Sequence, residues 1–211
     1  MVMEHYYSEK PRSEIEEHVF RYEIKGVELE FISVSGVFAF RQKIDKASRL
    51  LIENYRPSKA GNFFLDMGCG IGPISLYIKA RYPHLQVTAV DINERAVFYT
   101  DKNARLNNLS IEVLKSDLYS QLGGRLFGDI LSNPPIAAGK ALNTRLIYEA
   151  KNHLLKNGAL WLVAYHNKGG ETLKRIMHEA FGNVEDIEKK GGIRVYRSVN
   201  QNLEVPEKSS K

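Results

Sequence analysis

The stretch Phe63-Phe64-Leu65-Asp66-Met67-Gly68-Cys69-Gly70-Ile71-Gly72-Pro73 constrains the fold of this chain more than any other. A short apolar run ends at a carboxylate, and three glycines follow at alternate positions. Glycine accepts left-handed conformations and puts no Cβ between the backbone and a ligand, so such a loop turns sharply and comes close to a bound molecule. The loop then opens a helix, whose N-terminal N–H groups favour an electron-rich ligand. Nineteen residues beyond Gly72, Ala89-Val90-Asp91 ends the next apolar run with a carboxylate suited to a ribose diol. Together these features describe a site for an adenosine-type nucleoside.

The glycine spacing narrows the choice of nucleoside. A dinucleotide loop reads Gly-x-Gly-x-x-Gly, whereas Gly68, Gly70 and Gly72 read Gly-x-Gly-x-Gly behind Asp66. A carboxylate beside the loop repels a pyrophosphate but suits a sulfonium and an amino group. The pattern favours S-adenosylmethionine over a nicotinamide cofactor. Asp117, in Ser116-Asp117-Leu118-Tyr119, follows another strand-like run and can accept a hydrogen bond from the adenine amine, although such an Asp can equally cap a turn.

Around this loop, strand-like runs near 62–66, 86–90, 111–115, 127–132 and 159–165 alternate with helical patterns near 73–81, 93–107, 140–156 and 170–181. Alternation of this kind implies parallel strands with helices on both faces. Two further β-like runs, Asn183–Glu188 and Ile193–Val199, joined by Lys189-Lys190-Gly191-Gly192, read as an antiparallel hairpin. Before the core, Phe20–Ile24 and Val27–Phe31 alternate apolar and charged residues around a Lys25-Gly26 turn, and Ile44, Ala47, Leu51 and Tyr55 keep helical spacing. The expected organisation is an N-terminal β-hairpin and helix extension (1–60), an α/β core (61–199) and a polar tail (200–211).

Asn133-Pro134-Pro135-Ile136 follows the strand-like run Phe127–Ser132. Two prolines stiffen the backbone and remove two donors, leaving carbonyls to point into a site. The Asn133 side-chain oxygen and the Pro134 carbonyl can both accept from one exocyclic NH2. An aromatic or amide amine is a poor nucleophile, and two fixed acceptors hold it and stabilise the positive charge that develops as it attacks a methyl group.

The ordered set Asp66–Gly72, Asp91, Asp117 and Asn133–Ile136 resembles a class I S-adenosylmethionine-dependent N-methyltransferase. Within that class it is most similar to small, archaeal-type relatives of the RsmC-type ribosomal RNA guanine-N2 enzymes. Further matches are Gly36-Val37-Phe38, Ile44–Leu51, Pro134–Lys140, His5–Pro11 and Lys190–Val195. The resemblance implies a Rossmann-like, seven-stranded, mostly parallel sheet with one antiparallel strand near the C-terminus. It implies cofactor contacts at Asp66, Gly68, Cys69, Gly70, Gly72, Asp91, Ile92, Asp117 and Leu118, with Asn133, Pro134 and Pro135 at the methyl-transfer centre. Relatives usually place an aromatic after the two prolines, where this chain has Ile136. Phe38, Phe40 and Tyr165 are the candidates for a replacement stacking platform.

Net charge is +5, and residues 141–211 carry 12 basic against 8 acidic side chains. Arg41, Lys43, Lys140, Lys168, Lys189, Lys190, Arg194 and Arg197 fall in loops or at strand ends and suggest a rim for RNA. Ribosomal RNA is the favoured substrate and tRNA the second. Competing readings are a protein glutamine-N5 methyltransferase, another RNA or DNA amine methyltransferase, and a non-catalytic cofactor- or RNA-binding module. Six scattered histidines and one cysteine predict no metal site. No apolar run reaches the ~20 residues of a membrane span, and the N-terminus lacks a signal-type stretch, so the cytoplasm is expected.

Overall fold

Lys25 and Gly26 take left-handed conformations, φ 47° and 78°, and so form the tight turn between β1 (Glu17–Ile24) and β2 (Val27–Val34). The structure is a computed structural model describing residues 9, 13–39 and 44–201. In the hairpin, Glu17 lies opposite Val34 and Ile24 opposite Val27. Both strands extend three residues past the sequence pattern. The added part of β1, Glu17-His18-Val19, is exposed on both faces and carries no burial pattern to read. α1 (Lys46–Asn54) begins at Asp45, whose side chain accepts from the N–H groups of Ala47 and Ser48, a standard N-cap.

The core sheet contains β3 (Phe63–Met67), β4 (Gln86–Asp91), β5 (Glu112–Lys115), β6 (Phe127–Ser132), β7 (Leu154–Tyr165), β8 (Glu185–Lys190) and β9 (Ile193–Val199). Their order is β5-β4-β3-β6-β7-β9-β8. The first five are mutually parallel, and β9 runs antiparallel to both β7 and β8. With α2 (Pro73–Arg81), α3 (Glu94–Leu106), α4 (Lys140–Ala150) and α5 (Gly170–Phe181), this is the expected seven-stranded Rossmann-like architecture with a hairpin extension.

Successive strand residues bury on opposite faces, as the pleat requires. Phe64, Leu131, Trp161 and Val195 join α1, α2, α3 and the N-terminal hairpin in one apolar cluster. Leu65, Ile130, Leu160 and Tyr196 join α4 and α5 in the other. Burial on both faces leaves no polar stripe along the central strands, which is why they read as continuous apolar runs.

Two boundaries differ from the sequence reading. The helix expected over 140–156 ends at Ala150, a 3₁₀ turn covers Lys151–His153, and β7 starts at Leu154. Leu146, Ala150 and Leu154 are all buried at helical spacing, so periodicity alone runs the helix into the strand. β7 is then bulged: Phe127 lies opposite Leu154 but Asp129 opposite Ala159. Asn157 takes φ 63°, and a Cβ on Gly158 would stand 2.7 Å from the Gly128 carbonyl. β8 starts two residues later than expected because the Asn183 side chain is used otherwise, bonding the N–H and carbonyl of Val199 at 2.8 and 2.9 Å. Gly191 and Gly192 alone make the β8–β9 turn.

The hairpin docks on α3 through two asparagines one helical turn apart. Asn107 accepts from Glu30 N at 2.9 Å and donates to Glu30 O at 2.7 Å. Asn103 pairs likewise with Ile32 N and O at 2.8 and 3.1 Å, and its Nδ2 also donates to Ile71 O in the glycine loop at 3.0 Å. These amides occupy the edge of β2 as a neighbouring strand would. Replacing Asn103 by Ala leaves three backbone groups without this partner, each costing about 1–3 kcal/mol where buried. Urea unfolding of Asn103→Ala should show a loss of about 3 kcal/mol; a loss under about 1 kcal/mol would mean that water takes over these bonds.

Candidate active site

The loops that follow the parallel strands meet at one edge of the sheet around a cavity of ≈ 850 Å³, a size typical of small-molecule sites. The glycine loop forms one wall. Gly68 N and Cys69 N donate to Val90 O at 2.9 and 3.0 Å. Ser132 Oγ donates to Met67 O at 2.7 Å, and Thr100 Oγ1 donates to Gly70 O at 2.9 Å. The loop is therefore fixed from β4, β6 and α3 together. Gly68, at φ 77°, is exposed and has open space where a Cβ would stand, so its backbone can meet a ligand directly.

Asp91 lines the next wall. Its Oδ2 accepts from Gly70 N and its Oδ1 from Asn93 N, both at 2.9 Å, the Ile92 N–H also bonds the carboxylate, and of about four lone-pair sites one is left for a further donor. Asp117 and Leu118 follow β5, with Asp117 half-exposed and 3.6 Å from Arg145 Nη1. Asn133, Pro134, Pro135 and Ile136 follow β6 and face the same space. The Asn133 Nδ2 donates to Ser48 Oγ at 3.0 Å and to Asp45 Oδ1 at 3.3 Å, leaving its carbonyl as the remaining acceptor.

Most residues expected at the site do meet there: Gly68, Cys69, Gly70, Asp91 and Ile92 on one side, Asp117 and Leu118 beside them, and Asn133 through Ile136 opposite. Phe38 and Tyr165 line the same cavity and are 43% and 42% exposed. Three expected residues lie elsewhere. Asp66 is fully buried behind the loop, where its Oδ2 accepts from Ser75 N at the start of α2 at 3.0 Å and Oδ1 has no partner. Gly72 serves packing: at φ 89° a Cβ there would come within 2.7 Å of Leu76 Cδ1 and 3.1 Å of Thr100 Cγ2. Lys140 opens α4 in solvent and does not line the cavity.

The basic residues divide in the same way. Lys168 lines the cavity and lies over the Tyr165 ring at 5.7 Å. Lys189 pairs with Asp186 at 2.9 Å, and Arg197 pairs with Glu185 at 3.3 Å while covering Trp161, so both are engaged within the fold. The backbone bond from His166 N to Gly192 O, 2.8 Å, ties the β8–β9 turn to the segment between Tyr165 and Lys168, which line the cavity; Lys190, beside that turn, is exposed. Phe40, Arg41, Lys43, the His5–Pro11 motif apart from Glu9, and residues 202–211 lie outside the described residues. Asp45, Ser48 and Arg145 also line the cavity; the first two lie in the Ile44–Leu51 match, but the sequence assigns a site role to none of the three. Asp45 had a legible signal, an acidic residue at the start of a helical pattern.

Residues 28–197 match the family model of the methyltransferase small domain. The chain belongs to the methyltransferase small domain family. YbxB of Bacillus subtilis (strain 168) is 33% identical over 197 residues, covering 92% of this chain and 98% of that protein. Ribosomal RNA small subunit methyltransferase C of Psychromonas ingrahamii is 32% identical over 182 residues, 84% of this chain and 50% of that protein. The chain spans about half the length of the curated ribosomal RNA methyltransferases it matches. A solved T. thermophilus 16S rRNA N2 guanine methyltransferase (RsmC), in complex with AdoMet and guanosine, superposes with a TM-score of 0.74 at 24% identity, over 90% of this chain and 52% of that one. Family membership carries the enzyme class expected from the sequence, a methyltransferase that uses S-adenosylmethionine. Among the described residues no cluster of three or more His, Cys, Asp or Glu could hold a metal ion, and no helix is long and apolar enough to cross a membrane.

Burial pushes Asp66 up to about 7 and Asp91 up to about 6, from an ordinary 3.8. Folding thus favours their protonated forms. The stability they contribute is complete below about pH 4 and is lost as pH rises through 6 and 7. The ligand-free protein should lose stability between about pH 4 and 7, by at most about 1.4 kcal/mol per pH unit for each group. Asp66→Asn should flatten that slope in urea titrations at several pH values; an unaltered slope would assign it to other groups.

Proposed function

We propose that this chain transfers a methyl group from S-adenosylmethionine to the exocyclic N2 amine of guanine in ribosomal RNA. The observation that carries the reading is the shared cavity: the Asn133-Pro134-Pro135 turn lines the same cleft as the glycine loop, Asp91 and Asp117. The residues fit the cofactor. An exposed glycine backbone, a carboxylate at the end of β4 and a second at the end of β5 suit an aminoacyl sulfonium, a ribose diol and an adenine amine in turn. With burial holding Asp91 at about 6, its carboxylate is mostly ionised at neutral pH and accepts from a diol hydroxyl.

S-adenosylmethionine, when bound, supplies an activated methyl group. The rest falls to the chain. The Asn133 carbonyl and the Pro134 carbonyl accept the two hydrogens of the target amine and hold its nitrogen toward the cavity. As positive charge develops on that nitrogen, the same two oxygens stabilise it, so their contribution grows in the transition state. The product ammonium then gives up its extra proton to solvent, and a base of matched pKa is not required.

The base platform follows from Ile136. A Cβ on Gly169 would stand 2.5 Å from Ile136 Cγ2, so the Ile136 side chain packs onto the start of α5 at a glycine with φ 100°. Stacking passes to Phe38 and Tyr165, each ring worth about 1–3 kcal/mol against a base. Lys168 beside Tyr165 and Lys190 at the β8–β9 turn supply positive charge for phosphates. The ribosomal RNA methyltransferases among the relatives support RNA as the acceptor.

Methyl transfer from radiolabelled S-adenosylmethionine to ribosomal RNA, together with calorimetric cofactor binding, tests this assignment. Asn133→Ala should lower kcat at least a hundredfold, with cofactor Kd within about threefold. Asp91→Ala should instead weaken cofactor binding by tenfold or more. Full turnover in Asn133→Ala would remove the amine-holding role from Asn133.

A further inference from the structure

Asn133 depends on a part of the chain that precedes the cofactor loop. Its Nδ2 donates to Ser48 Oγ at 3.0 Å and to Asp45 Oδ1 at 3.3 Å, and these acceptors lie 85 and 88 residues earlier in sequence. Ser48 is only 4% exposed. Asp45 Oδ1 already accepts from Ala47 N at 2.9 Å and Ser48 N at 3.1 Å as the cap of α1, so it is fixed in position and acts as an acceptor. The side-chain amide has one donor end and one acceptor end. A flipped amide would set its carbonyl oxygen against the Asp45 carboxylate, two acceptors without a proton between them.

We propose that Asp45 and Ser48 are positioning residues for methyl transfer: they select the one amide orientation in which Asn133 turns its carbonyl to the incoming amine. The proposal rests on the amine-holding role assigned to Asn133 above. It makes the start of α1, which no part of the glycine loop touches in sequence, a determinant of turnover. It also explains why an amide rather than a carboxylate stands at position 133. An aspartate there would bring a second carboxylate to about the same 3.3 Å from Asp45 Oδ1, and one of the two would have to hold a proton.

Ser48→Ala removes the hydroxyl while keeping a good helix former, so α1 should fold. Methyl transfer to ribosomal RNA should fall about tenfold in kcat, with cofactor Kd unchanged within twofold. In an Asn133→Ala background the same substitution should have no further effect, because Ser48 acts only through Asn133. Asn133→Asp should show activity that rises toward acid pH, where the wild type does not. In ¹⁵N-edited spectra the Asn133 side-chain amide, identified by its loss in Asn133→Ala, should move toward the free-amide position in Ser48→Ala.

The outcomes separate the two claims. Full kcat in Ser48→Ala with an inactive Asn133→Ala would overturn the positioning role and leave the amine-holding role intact. An Asn133 amide resonance unmoved by Ser48→Ala would overturn the anchor itself. Full activity in Asn133→Ala would bring down both.

Discussion

Central parallel strands buried on both faces leave the chain one edge at which to assemble polar chemistry. Neither face of the sheet can carry it, since α1, α2 and α3 with the hairpin cover one and α4 with α5 the other. Every loop after a parallel strand therefore opens toward the same side, as open α/β sheets do around their ligands. The glycine loop, Asp91, Asp117 and the Asn133 turn lie far apart in sequence and adjacent in space for this reason. The loops are then cross-tied: Val90 O receives two N–H groups of the glycine loop, and Ser132 Oγ reaches Met67 O. The N-terminal extension joins the same frame through Asn103, whose single amide touches both β2 and Ile71 of the loop.

Two aspartates show how one residue type divides between fold and site. Asp66, one residue before the end of β3, and Asp91, at the end of the neighbouring β4, both read in sequence as ligand groups. Asp66 turns inward and caps Ser75 N at the start of α2, where a carboxylate meets the positive end of the helix. Asp91 turns outward and keeps a lone pair for the cavity. Burial raises both, and Asp66, with no exposed surface and one oxygen unpartnered, is raised further. The loop's carboxylate is therefore held against the helix behind it.

Much of this was legible because glycine, proline and carboxylates act locally. The Gly68–Gly72 turn, the Lys25-Gly26 turn and the Asn133-Pro134-Pro135 stiffening follow from conformations that few other residues adopt. What escaped was set by contacts between distant segments. Leu154 keeps the helical spacing of Leu146 and Ala150 yet pairs in a strand with Phe127, a choice made by the neighbouring strand. Gly72 looks like the loop glycines before it and is needed instead for Leu76 and Thr100. Ser48 lies in the Ile44–Leu51 match but nothing local gives it a role; its importance comes from Asn133, which only the folded sheet brings to it.

Which atom receives the methyl group decides whether Asn133 holds a guanine amine. Purified protein incubated with radiolabelled S-adenosylmethionine and ribosomal RNA, followed by digestion of the RNA to nucleosides, reads that atom directly. Label recovered as N2-methylguanosine is the predicted result. Label on adenosine, or on protein with none in the RNA, would contradict the guanine site built around Asn133.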